Sequence, residues 1–209
     1  MKTIVYWIWV IFVAAFVFSA FIFYVFLAGS PLSIRTFNSA IAYTGIFLMG
    51  LSLIIGSLGY FFPSIARFNK YRKEIGLVGF FVTIGHVYLS IFHLNYIFPF
   101  PSSYLYGRSL VSFVLALVAL EIFTIMALIS NAFAMRILGN WWRKLLRIGY
   151  IAFILALTHM VLRETRPWNA YVQHPFELPP LSIFVLWFGI YTIVLRICVY
   201  VMTKNKGGS

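Results

Sequence analysis

Long runs of apolar residues, separated by short polar segments, dominate the chain. The runs cover residues 3–27, 38–62, 75–98, 109–135, 145–162 and 181–202. Most of them match or exceed the roughly 20 residues that an α-helix needs to cross a bilayer. This pattern predicts an all-α integral membrane protein, with residues 1–209 forming one domain of six transmembrane helices.

Composition supports the same class of protein. Of the 209 residues, 63% are hydrophobic and 20% aromatic, and the mean hydropathy is +0.97, far from the values of soluble domains. The first run is longer than the 7 to 15 apolar residues of a signal peptide, so we expect it to be a retained helix. The segments between the runs are too short for a soluble domain, and Gly207, Gly208 and Ser209 look like a flexible tail.

The net charge of +12 is distributed as membrane flanks are, and not as a nucleic-acid-binding surface. With the amino terminus in the cytoplasm, twelve basic residues fall on the cytoplasmic side: Lys2, Arg67, Lys70, Arg72, Lys73, Arg136, Arg143, Lys144, Arg147, Arg196, Lys204 and Lys206. Four fall on the other side: Arg35, Arg108, Arg163 and Arg166. This bias predicts a multi-pass protein of the cell (inner) membrane with both termini in the cytoplasm.

The third run carries two histidines on a face of small and polar residues. At helical steps of three and four lie Gly76, Gly79, Thr83, His86, Ser90 and His93. The remaining positions are mostly large and apolar, as on a helix that turns its other side to lipid. Ionisable groups inside a membrane tend to face the protein interior, so we expect both histidines to point into the bundle.

The fifth run repeats this arrangement with Gly149, Ala152, Ala156 and His159. From a rise of about 1.5 Å per residue, His86 lies roughly 16 Å into a hydrocarbon core about 30 Å thick, His159 roughly 21 Å and His93 roughly 27 Å. His174 falls in the outer loop. Two helices therefore present a histidine near the middle of the membrane.

Two neutral imidazoles from different helices could bind the iron of a flat macrocycle from both faces, and haem is the natural ligand for that arrangement. Zinc is less suitable, since a closed zinc site requires about four ligands and no acidic or thiol residues cluster here. A haem-free membrane scaffold or small transporter, whose histidines only pack between helices, is the alternative.

Two stretches resemble the ferric reductase-like transmembrane domain, in particular its bacterial branch, the haem-binding membrane subunit of periplasmic methionine sulfoxide reductase. RKEIGLVGFFVTIGH, residues 72–86, resembles the basic pair, Leu-Gly-Leu, aromatic pair and histidine of the family's third helix. ILGNWWRKLLRIGYIAFILALTH, residues 137–159, resembles a second motif that ends in a histidine. The resemblance implies that His86 and His159 are axial ligands of a b-type haem, with His93 as a competing ligand.

The resemblance also implies the role of an electron-transfer subunit of an oxidoreductase system. Electrons would come from quinol or a cytoplasmic flavin reductase and pass to an outer partner, a methionine sulfoxide reductase-type enzyme in that branch. Where relatives have a histidine thirteen residues before the second ligand, this chain has Leu146, and thirteen residues after His86 lies Pro99. We therefore expect one haem and not two.

Glu121 is the single acidic residue near the middle of a predicted span. It is a candidate for proton transfer to a quinone or for contact with the edge of a histidine. A protonated glutamate that is hydrogen-bonded to a neighbour is the alternative.

Overall fold

The structure is a computed structural model that describes residues 2–175 and 177–206, and every regular element in these ranges is a helix. The predicted tail at residues 207–209 lies outside the described residues. The α-helices are α1 (Lys2–Leu27), α2 (Ile34–Phe61), α3 (Pro63–Ala66), α4 (Arg72–Tyr88), α5 (Gly107–Ile129), α6 (Ala132–Leu138), α7 (Asn140–Arg147), α8 (Gly149–Arg163), α9 (Thr165–Gln173) and α10 (Leu181–Lys206).

Six helical stretches of the described chain are long and apolar enough to cross a membrane. They are α1, α2, the continuous stretch Pro63–His93, α5, the stretch Asn140–Arg163 and α10. The prediction of an all-α, multi-pass membrane protein is confirmed to this extent. The side of the membrane on which the termini lie stays a prediction.

Two helix boundaries differ from those predicted, because polar residues cap the helices at other positions. The second helix begins at Ile34 and not at residue 38, because the Ser33 hydroxyl accepts a hydrogen bond from the Thr36 amide at 3.2 Å and caps the helix. The fourth ends at Ile129 and not at residue 135. Asn131 instead caps the separate helix α6, its side-chain oxygen accepting from the Ala134 amide at 2.9 Å.

The third span differs most from its predicted limits of 75–98. Helix α3, a 3₁₀ turn at Arg67–Tyr71, α4 and a π-helical turn at Leu89–His93 follow one another without a loop. The connecting segments 136–144 and 163–180, rich in glycine and proline, also contain helix, namely parts of α6 and α7 and all of α9. The apolar pattern did not reveal these short helices, because α7 and α9 are largely polar and α6 is separated from α5 only by Ser130 and Asn131.

Helix α2 lies at the centre and packs against α1, α4, α8 and α10. Small residues allow α2 and α4 to approach closely: a Cβ atom on Gly79 of α4 would lie 3.0 Å from the backbone nitrogen of Met49 in α2. Helices α5 and α8 form the second closely packed pair, and Phe153 of α8 is fully buried in the core. Since α4 packs chiefly on α2 and α8 chiefly on α5, these two helices belong to different pairs.

The two ends of the bundle differ in their charged groups. At one end, Arg72 begins α4, Arg147 ends α7, and the Arg196 guanidinium of α10 lies 5.3 Å from the centre of the Tyr150 ring. We call this the basic end. At the opposite end, the guanidinium carbons of Arg35 and Arg163 lie 5.7 and 5.4 Å from the centre of the Phe98 ring.

Candidate functional site

The imidazole of His86 is held by the first part of α2. Its Nδ1 atom lies 3.2 Å from the backbone oxygen of Asn38 and 3.0 Å from the Asn38 side-chain oxygen. The Asn38 amide group in turn donates to the Ser90 hydroxyl at 3.0 Å. Asn38 is only 6% exposed, so this hydrogen-bonded set fixes the orientation of the histidine ring from inside the bundle.

The imidazole of His159 is held in the same way by α5. Its Nδ1 atom lies 2.8 Å from the backbone oxygen of Ser112 and 2.9 Å from the Ser112 hydroxyl oxygen. Ser112 is 1% exposed, and its hydroxyl is 3.4 Å from the backbone oxygen of His159, to which it donates. Each histidine is therefore anchored to a carbonyl group of the neighbouring helix in its own pair.

These partners determine where the ring protons are. A backbone oxygen can only accept a hydrogen bond, so Nδ1 carries the proton in both His86 and His159. The Nε2 atom of each neutral ring then keeps its lone pair, which is the form in which histidine binds a metal. Histidines that bind metals commonly donate their other ring N–H to a backbone carbonyl or a carboxylate in this manner.

His86 and His159 also lie within electrostatic range of each other, although α4 and α8 are in different helix pairs. Arg163, at the end of α8, lies within electrostatic range of both rings. The structure thus brings together the two histidines that the sequence selected and adds a nearby guanidinium group. Both rings are half-buried.

His93 does not share the inward face on which the sequence placed it. The Leu94 amide donates to the Leu89 oxygen at 2.9 Å, five residues earlier, which makes residues 89–93 a π-helical turn with one more residue than an α-helical turn. This shift puts Leu94, 3% exposed, in the buried position. His93 is exposed, with its ring 5.3 Å from that of the outward-facing Tyr88.

Glu121 lies on the exposed side of α5. The expectation that it meets the edge of a histidine does not agree with this placement, since His159 hydrogen-bonds to Ser112 on the buried face of the same helix. Helical periodicity separates the two faces, because positions 112 and 121 are nine residues apart, which is two and a half turns. His174, directly after α9, is exposed as expected for a loop residue.

A cavity of about 530 Å³ occupies the basic end of the bundle, between α2, α4, α5, α7, α8 and α10. Its lining residues are Met49, Ser52, Leu53, Asn69, Arg72, Lys73, Gly76, Leu77, Phe80, Phe123, Met126, Ala127, Ser130, Trp142, Leu146, Arg147, Tyr150 and Arg196. Leu146, which the resemblance singled out as replacing a histidine, is one of them. No histidine is among these described lining residues.

Sequence reasoning did not identify Asn38 and Ser112, the two residues that anchor the histidines. Each is one polar residue in or beside a long apolar run, and no periodic pattern distinguishes it from other serines and asparagines. The sequence does offer one general rule: polar side chains inside a membrane helix usually hydrogen-bond to another helix. That rule predicts that such residues have partners, but it does not say which.

Comparison with known proteins gives no family for this chain: no protein-family model and no curated protein sequence matches it.

Proposed function

We propose that this protein is a membrane electron-transfer subunit that binds one b-type haem through His86 and His159. The observation that carries the proposal is the shared anchoring of the two rings. Both donate Nδ1–H to a backbone oxygen of the neighbouring helix and keep the Nε2 lone pair free for a metal. Packing alone does not require two half-buried histidines in the middle of an apolar bundle to adopt the same tautomer.

The donor set fits haem because two neutral imidazoles, those of His86 and His159, would hold the iron of a b-type haem. His86 and His159 come from helices of different pairs, lie within electrostatic range of each other, and are surrounded largely by apolar helices. Haem also carries two acidic side groups, for which Arg163, near both rings, would supply positive charge. When bound, haem supplies a carrier that accepts and donates one electron at a time.

The residues of this chain would then have distinct tasks. His86 and His159 would bind the iron, and Asn38 and Ser112 would hold their rings in one tautomer and orientation. Residues such as Phe153 and Met160, which are buried on the same helix as His159, would exclude water, and a dry surrounding is one of the factors that set the potential of a bound haem.

The resemblance supplies the direction of electron flow within this proposal. The donor would be quinol or a flavin reductase at the cytoplasmic side, and the acceptor a redox protein at the outer side, of the methionine sulfoxide reductase type. The position of Glu121 favours quinol as the electron donor. The residue lies on the exposed side of a membrane-spanning helix, where a quinol dissolved in lipid could exchange protons with it.

The test is an absorption spectrum of protein purified after expression with ample haem, before and after addition of a reduced quinol or a reduced flavin. We expect a Soret band, a reduced α-band of the b type, and full reduction by at least one of the two donors. Protein that folds and inserts but shows neither band would instead support the haem-free scaffold or transporter.

A further inference from the structure

The cavity at the basic end has a composition that neither haem binding nor helix packing explains. Its rim carries four cationic groups, those of Arg72, Lys73, Arg147 and Arg196. The chain has four acidic residues, all glutamates, and none of them is among the described residues that line the cavity. The cavity therefore combines an excess of positive charge with no acidic partner in its wall.

We propose that this cavity binds one anionic phospholipid, with its phosphate among Arg72, Arg147 and Arg196 and its acyl chains along Leu77, Phe80 and Phe123. The proposal goes beyond the haem function and does not depend on it.

The positions of the cationic side chains favour the binding of an anion. The Arg72 side chain is directed inward, and its Nε atom donates to the backbone oxygen of Ser52 at 2.8 Å. Arg196 lines the same cavity, with its guanidinium group 5.3 Å from the centre of the Tyr150 ring. Cationic groups that are partly removed from water and have no acidic partner are unfavourable unless an anion joins them, and a phosphate accepts several hydrogen bonds from guanidinium groups.

The apolar lining of the cavity favours a lipid as its occupant over a soluble phosphate compound. Phe80 lies eight residues beyond Arg72 on α4, so the cavity reaches roughly 12 Å further along the helix. Apart from the four cations, most lining residues are apolar, with Leu77, Phe123, Met126 and Leu146 among them. The uncharged polar side chains in the lining are those of Ser52, Asn69, Ser130, Trp142 and Tyr150. A soluble anion would use only the rim, whereas a phospholipid would occupy both the charged rim and the apolar walls.

The position of the cavity agrees with this occupant. The basic end is the side that the positive-inside bias assigns to the cytoplasm, where the leaflet is rich in anionic lipids, and basic pockets between helices on that side bind acidic headgroups. Phe80 of α4 and Phe123 of α5 both line the cavity, so acyl chains along them would lie between these two helices.

Native mass spectrometry of the purified full chain tests the proposal. The protein is exchanged into detergent with equal amounts of phosphatidylglycerol and phosphatidylcholine of the same acyl chains. We expect one retained phosphatidylglycerol per chain and a preference of at least about fivefold over phosphatidylcholine, because one basic residue near an anionic lipid accounts for a factor of about that size. Equal retention of both lipids would overturn the proposal.

Variants distinguish this site from general surface attraction. Arg196→Gln should weaken phosphatidylglycerol retention about fivefold, whereas Arg136→Gln, the same change of charge at an exposed residue of α6 outside the lining, should not. Ala127→Phe keeps all the charges but fills part of the cavity, and it should also reduce retention. If Arg136→Gln acts like Arg196→Gln, or if Ala127→Phe has no effect, the lipid is bound on the surface and the proposal is wrong.

A soluble competitor separates the two sources of phosphate. We expect glycerol phosphate at millimolar concentration to leave the retained lipid in place, because it cannot use the apolar walls. Full displacement by glycerol phosphate would show that the cavity is a site for soluble phosphate compounds and would overturn the assignment to lipid. Mass spectrometry detects the retained lipid whether or not the chain carries haem. Failure of the haem proposal would therefore leave the test of the lipid proposal valid.

Discussion

His159 and Ser112 bind each other twice. The imidazole Nδ1–H donates to the backbone oxygen of Ser112 at 2.8 Å, and the Ser112 hydroxyl donates to the backbone oxygen of His159 at 3.4 Å. Because the Ser112 hydroxyl oxygen also lies 2.9 Å from Nδ1, one serine orients both the side chain and the backbone of the proposed ligand.

Ser112→Ala is therefore expected to weaken haem binding without abolishing it. Loss of a group that orients a metal ligand typically lowers affinity by about 10- to 100-fold, and we expect about tenfold because the Ser112 backbone oxygen remains. Titration of the haem-free protein with haem measures the change. Thr124→Ala on the same helix is the matched control, since its hydroxyl donates to the Leu120 oxygen of its own helix. An equal loss in both variants would argue against a specific orienting role.

His93 and His174 should not be needed for the spectrum of the bound haem. His93 is exposed after the π-helical turn, and His174 is exposed beyond α9. Ala substitution of either should leave the low-spin absorption bands at their wild-type positions and intensities. If His93→Ala removes the bands while His86→Ala keeps them, the ligand on α4 has been assigned to the wrong histidine.

The number of bound haems should be close to one per chain. The cavity at the basic end contains Leu146 where a second pair of ligands would be required, and no histidine is among its described lining residues. The pyridine haemochrome assay, set against protein concentration, gives the ratio. A value near two would contradict this prediction.

Glu121→Gln should slow the reduction of haem by quinol and leave the oxidised spectrum unchanged. The residue is exposed on α5 and does not lie on the face that carries Ser112, so the substitution should not disturb the ligands. Stopped-flow absorbance with a quinol donor measures the rate. An unchanged rate would remove Glu121 from the proton path.

Two glycines of α4 provide a test of the packing that positions His86. A Cβ atom on Gly79 would lie 3.0 Å from the Met49 backbone nitrogen, whereas one on Gly85 would have nothing within 4 Å. Gly79→Ala should destabilise the haem-free protein by about 1–3 kcal/mol, as overpacking does. Gly85→Ala should be neutral or slightly stabilising because alanine favours helix. Thermal unfolding in detergent compares the two, and equal effects would contradict the close approach of α2 and α4.

The sequence was sufficient for the six spans, because apolar run length is a property of the residues themselves. The selection of His86 and His159 as ligands stays a prediction. The sequence was not sufficient for His93. The π-helical turn depends on a hydrogen bond from Leu94 to Leu89, which changes the register without any change in the apolar pattern. The central position of α2 could not be predicted either, since it depends on the helices that pack around it and not on its own apolar pattern.

The ligand substitutions test the central claim most directly. We expect the wild-type protein to show the low-spin spectrum of a haem with two axial histidines, and His86→Ala and His159→Ala each to lose it, with protein yield and helical content unchanged. Retention of the low-spin spectrum in both variants, or its absence from wild-type protein expressed with ample haem, would contradict the account.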